Sequence, residues 1–132
     1  MLLLRKSYIE ISINIEAGYL YQKWKGYCRN NDFIKIIDFS MSSLEKYNIH
    51  KIINDVSEQH VVSPKNQNYV KNSILNFYIK NKKFKMAFII KKNTINDRCV
   101  ESHNNSLNKE INEKITQTYL NIEDAKKWIL KL

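Results

Sequence analysis

The sequence predicts an α/β layer fold: an N-terminal antiparallel β-hairpin followed by alternating helices and strands, with a mixed sheet packed by about four helices. Three observations lead there. Apolar and polar residues alternate through "YIEISINI" at 8–15, the period of a half-buried strand. From Asn30 the apolar spacing lengthens to that of a helix. Further on, short apolar runs such as "KMAFIIK" alternate with helix-length segments. Such runs mark strands covered on both faces or lying in a parallel ladder.

In the first strand Ile9, Ile11, Ile13 and Ile15 share one face, and Tyr8, Glu10, Ser12 and Asn14 share the other. "EAG" then supplies a turn in which Gly18 is free to take positive φ. "YLYQKWKGY" returns as the partner strand. It carries Leu20, Gln22 and Trp24 on one face and Tyr19, Tyr21 and Tyr27 on the opposite one. Asn30 or Asn31 is placed to cap the first helix. Its Phe33, Ile34, Ile37, Met41 and Leu44 recur at helical spacing, Lys35, Asp38, Ser42 and Glu45 face water, and it ends near Tyr47–Asn48.

"HKIIND" reads as a short buried strand. Pro64 to Lys80 reads as a second helix with Val70, Ile74, Phe77 and Tyr78 on its core stripe. Thr94 can cap a third helix bearing Val100, Leu107 and Ile111, although Ser102 to Asn108 is almost wholly polar. "ITQTYL" is the last strand. Asn121, with Asp124 three residues on, starts a final helix close to a capping box. Its apolar face is Ile122, Ala125, Trp128, Ile129 and Leu132, and Trp128 is expected to be buried. Right-handed crossovers make the strands after the hairpin parallel. No linker, repeat or change of composition divides the chain, so 1–132 is expected to be a single domain.

The totals narrow the function. The chain is 43% hydrophobic and 27% charged, the balance of a globular protein. No apolar run approaches the roughly 20 residues of a membrane span. "MLLLRKS" falls short of the about 7–15 apolar residues of a signal-peptide core, so a cytoplasmic location is expected. Cys28 and Cys99 stand far apart and are expected as reduced, buried thiols. His50, His60 and His103 show no metal-ligand spacing, and no metal or cofactor is expected. With Gly18 and Gly26 as the only glycines, neither a P-loop nor a dinucleotide fingerprint can be built.

The formal charge of +9 raises the question of a polyanion partner. The lysines answer against it. Lys80, Lys82, Lys83 and Lys85 are separated from Lys91 and Lys92 by a strand spanning roughly 20 Å. Aromatic residues do not interleave with them as stacking platforms. The chain is also crowded with Asn, Lys, Ile and Tyr, the residues of AT-rich codons. Nucleic-acid binding through a basic surface is therefore a minority reading.

The order of elements and four short motifs resemble a STAS domain, the fold of the sporulation anti-sigma-factor antagonists. The motifs are "WKG" with Trp24 and Gly26, "ND" ending at Asp55, "SPKNQ" opening at Ser63–Pro64, and "IEDAKKWIL" with Trp128. Together they span nearly the whole chain. The likeness is closer still to small stand-alone STAS-like proteins of Bacteroidetes bacteria. It implies structural roles for Trp24, Gly26, Pro64 and Trp128. It also implies a non-enzymatic regulatory or protein-interaction module, with a protein partner that could be a second copy of the chain. In antagonists of this fold, a phosphorylatable serine opens the helix after the corresponding strand. The matching position is near Ser63, where the usual Asp-Ser-Ser-Gly is replaced by "VSPK".

"NDVSEQHVVSPKNQNYV" at 54–70 holds the candidate site residues Asp55, Ser57, His60 and Ser63. They have the residue types of a hydrolase triad. A triad converges from separate elements, and these lie on one short connection with no Gly-rich nucleophile elbow. Two other readings fit together. Ser63 before Pro64 is a strong helix start, and Asp55 can hold the loop through backbone N–H groups. The same loop lies at the carboxyl ends of parallel strands, where α/β sheets bind partners and helix N-termini favour anions. The four residues are therefore candidates for a switch or partner-binding surface. The alternative from another class is a small apolar ligand or lipid held between sheet and helices, as in the CRAL-TRIO carriers, whose layout is similar.

Overall fold

The computed structural model describes residues 1–131. Its elements are β1 (Leu2–Lys6), β2 (Ile9–Asn14), β3 (Tyr19–Gly26), α1 (Asn30–Lys46), β4 (Lys51–Gln59), α2 (Pro64–Lys80), β5 (Lys85–Ile89), α3 (Ile95–Ile111), β6 (Thr116–Tyr119) and α4 (Ile122–Ile129). The six strands form one sheet in chain order. β1, β2 and β3 are antiparallel, and β3 to β6 run parallel.

Each new parallel strand joins the same edge of the sheet, so crossovers of one hand place their helices on one face. Accordingly Phe33 and Leu44 of α1, Ile74 and Phe77 of α2, and Leu107 of α3 pack with Ile11, Leu20, Trp24, Ile52 and Met86. α4 follows the last strand and turns to the other face, where Ala125 and Ile129 pack on Tyr19, Ile53, Ala87 and Ile89. The coverage is unequal: α4 has 8 residues, whereas α1, α2 and α3 have 17 each.

Three helices carry the N-caps that their sequences signal. Ser63 Oγ accepts from the Asn66 N–H, Thr94 Oγ1 from Asp97 and Asn121 Oδ1 from Asp124, at 3.2, 3.0 and 2.9 Å. α1 differs. Arg29 occupies its N-cap with no side-chain bond, because the Asn30 side chain is turned across to α2.

Other expectations need correction. β1 was not expected: "LLLRK" has no alternation, and its register slips between Leu2 and Leu4. Ile15 does not share the buried face of β2; it is 60% exposed in the turn, where Asn14 Oδ1 accepts from Ala17 and Gly18 takes φ +83°. Trp128 is only partly buried, tilted against the Tyr119 ring with the Lys85 ammonium 5.2 Å from its centre. Cys28 and Cys99 are free but half-buried rather than buried. Leu132, assigned to the apolar face of the last helix, lies outside the described residues.

Candidate functional site

β4 is longer than "HKIIND" suggests, and this redistributes the candidate residues. The strand continues to Gln59, with an extra residue relative to β3 between the pairs Lys23↔Asp55 and Lys25↔Glu58. Such a bulge re-aims side chains. Ser57 therefore belongs to the strand rather than to the loop after it, and Asp55, expected at the strand end, lies within the strand. They project to the thinly covered α4 face, beside Tyr21. Asp55 is 8% exposed, and its carboxylate is held by hydroxyl and amide donors. Ser57 donates its hydroxyl at 2.6 Å and its N–H at 3.0 Å to Oδ1, and the Tyr21 hydroxyl reaches Oδ2 at 3.3 Å. Burial, and then the Asp55 charge, push the Tyr21 phenol up to about 12.

His60 and Ser63 lie past the strand end, in a groove of about 310 Å³ between the β3–α1 and β4–α2 connections. Gly26 takes φ +67°, a left-handed conformation that releases the chain from β3 toward α1. Its carbonyl accepts from the His60 N–H at 2.9 Å. Asn66 Nδ2 donates to Asn30 Oδ1 at 3.0 Å, tying the starts of α1 and α2 together. Gln67 Nε2 braces the loop on the Val62 carbonyl at 2.6 Å. On this braced frame Tyr27 and Val61 stand 63% and 47% exposed, with the Ser63 hydroxyl between loop and helix. Asn66 is buried, and its Oδ1 has no partner among the described residues.

A second polar feature lies under the helices. Asn54 Oδ1 accepts from Trp24 Nε1 and from Gln22 Nε2, both at 2.9 Å, and Gln22 Oε1 accepts from the Ser40 hydroxyl at 2.7 Å. This buried chain forms part of the wall of a largely apolar cavity of about 60 Å³ between the sheet and α1, α2 and α3. Phe33, Met41, Phe88 and Val100 supply much of the remaining wall.

The four residues at 54–70 thus separate into two pairs: Asp55 with Ser57 on the open sheet face, and His60 with Ser63 in the end groove. Among the described residues no hydrogen bond joins the His60 ring to Asp55, Ser57 or Ser63, so base and nucleophile are not in contact. Cys28 also lines the groove. Burial pushes its thiol up to about 11, with Asp32 adding to the rise and Lys6 opposing it, which removes the thiolate that a nucleophile needs. No three His, Cys, Asp or Glu side chains gather to hold a metal among the described residues.

Sequence reasoning missed Asn66, Asn54 and Gln22. Gln22 and Asn54 had a usable signal: each occupies an inward position on a strand whose inward neighbours are apolar. Asn66 had none, since its partner Asn30 is 36 residues away.

No protein-family model matches the chain, and no curated protein gives a significant match. Among solved structures, the chain is similar to an uncharacterized protein of the DUF3478 family from Shewanella loihica PV-4, described as having a SpoIIAA-like fold. The TM-score is 0.59 at 19% identity, covering 96% of this chain and 98% of the other. No helix among the described residues is long and apolar enough to cross a membrane. With its antiparallel entry, parallel strands in chain order and helices on unequal faces, the chain has a SpoIIAA-like, that is STAS-like, fold.

Proposed function

We propose that the chain is a non-enzymatic regulatory module that binds a protein partner through the groove at the carboxyl end of its sheet. One observation carries this reading: exposed Tyr27 and Val61 flank the cap residue Ser63 on a frame that hydrogen bonds hold rigid. Aromatic anchors on rigid frames dominate protein interfaces because their burial loses little side-chain freedom. The unpartnered Oδ1 of buried Asn66 adds an acceptor that an N–H from a partner could satisfy. α2 has no acidic residue in its first turn, so added negative charge at Ser63 would meet the positive helix end without opposition from that turn. The STAS-like fold supports the reading, since its antagonists use the corresponding helix start as a switch.

Two substitutions separate cap from switch. Ser63→Ala removes the bond to the Asn66 N–H and is expected to destabilise by about 0.5–2 kcal/mol in urea unfolding. Ser63→Asp keeps a capping oxygen, so stability should hold or rise slightly while partner binding weakens. Undiminished binding by a fully folded Ser63→Asp variant would leave the cap in place and remove the switch.

A further inference from the structure

We infer that the cleft between α2 and α3 binds a fatty-acid-like amphiphile, its anionic head at Lys65 and Arg98 and its apolar tail entering the cavity behind His103.

The cleft, about 760 Å³, and the cavity, about 60 Å³, adjoin: Gln67, Cys99 and His103 line both. His103 stands at the junction, with its Nε2 3.1 Å from the Gln67 carbonyl. Burial lowers its pKa, so the ring is neutral at pH 7 and Nε2–H donates across from α3 to α2. The outer and inner walls differ in chemistry. Outside, Lys65 and Arg98 are exposed and make no ion pair among the described residues. Lys71, on the same wall, already has a counter-charge in Glu110 at 3.0 Å. Inside, the wall is largely apolar: Trp24, Phe33, Phe88 and Val100, interrupted by the Asn54 amide chain.

Size decides how much of the ligand goes in. A volume of about 60 Å³ admits about four waters. That is room for the end of a short acyl chain, with the rest lying in the cleft. The charge decides the head group. Two exposed cations without counter-ions among the described residues favour an anion over a neutral alcohol. Lys65 lies in the first turn of α2, which holds no acidic residue, so that helix N-terminus adds to the preference; Arg98 of α3 shares its first turn with Asp97. The site takes a different class of ligand from the partner groove but adjoins it: Phe33, Gln59 and Val62 line both cavity and groove, and Pro64 lines both cleft and groove.

Trp24 lines the cavity and Trp128 lies on the opposite face, so a Trp128→Phe background makes Trp24 the sole indole reporter. In that background, octanoate is expected to shift Trp24 emission saturably, and octan-1-ol to do so about tenfold more weakly, the factor that 1.4 kcal/mol represents. Sodium acetate, a head with no tail, should leave the emission unchanged. Lys65→Gln combined with Arg98→Gln, both on exposed side chains, should bring octanoate down to the affinity of octan-1-ol while leaving the alcohol unaffected. The proposal is overturned if octanoate gives no saturable response, if acetate competes equally, or if the double variant binds octanoate as tightly as its parent.

Discussion

Trp24→Ala is expected to lower the free energy of unfolding by about 3–5 kcal/mol, a large share of the 5–15 kcal/mol that holds a domain together. Trp24 is 2% exposed, with its ring centre 5.1 Å from that of Phe33 on α1. It also donates to Asn54. Truncation therefore enlarges the existing cavity and removes one of two donors from a buried acceptor. Trp128→Ala is the natural comparison. That ring is only partly buried, so its loss should cost only about 1–2 kcal/mol. Urea unfolding of both variants checks the ranking. A Trp128 variant less stable than the Trp24 variant would mean that α4, not the three-helix face, dominates the core.

Asn54→Leu should be the second most damaging change, even though it adds apolar surface with the same number of side-chain heavy atoms. The leucine cannot accept, so the Gln22 amide and the Trp24 indole N–H lose their common partner at once. Each stranded buried donor costs about 1–3 kcal/mol, which predicts a loss of about 2–5 kcal/mol after the apolar gain. Trp24→Phe removes one donor in advance, so the double variant should lose less than the sum of the two singles. Additive losses would show that the indole and the amide are not coupled as the distances imply.

Much of the fold was legible because two periods govern it. Ile9, Ile11 and Ile13 alternate, and Ile74, Phe77 and Tyr78 recur along a helix, so burial against a face writes itself into spacing. The caps at Ser63, Thr94 and Asn121 were legible for a local reason: each donor is three residues from its acceptor. What escaped was set by distant chain. β1 owes its place to backbone pairing with β2, and no pattern of its own side chains announces it. Arg29 replaces Asn30 as the cap of α1 because Asn66 claims the Asn30 amide across 36 residues. The bulge that carries β4 on past Asp55 through Ser57 depends on pairing with β3, so the sequence alone placed Ser57 in a loop. The split of Asp55 and Ser57 from His60 and Ser63 follows from that one misplacement.

Site-specific photocrosslinking reports whether a protein partner occupies the groove. A benzoylphenylalanine in place of Val61 sits in the groove, whereas the same residue in place of the exposed Ile79 sits near the far end of α2. A discrete protein adduct is expected from position 61, reduced when Ser63→Asp is added, and none from position 79. No adduct at 61, or equal adducts at both positions, would contradict partner binding through the groove.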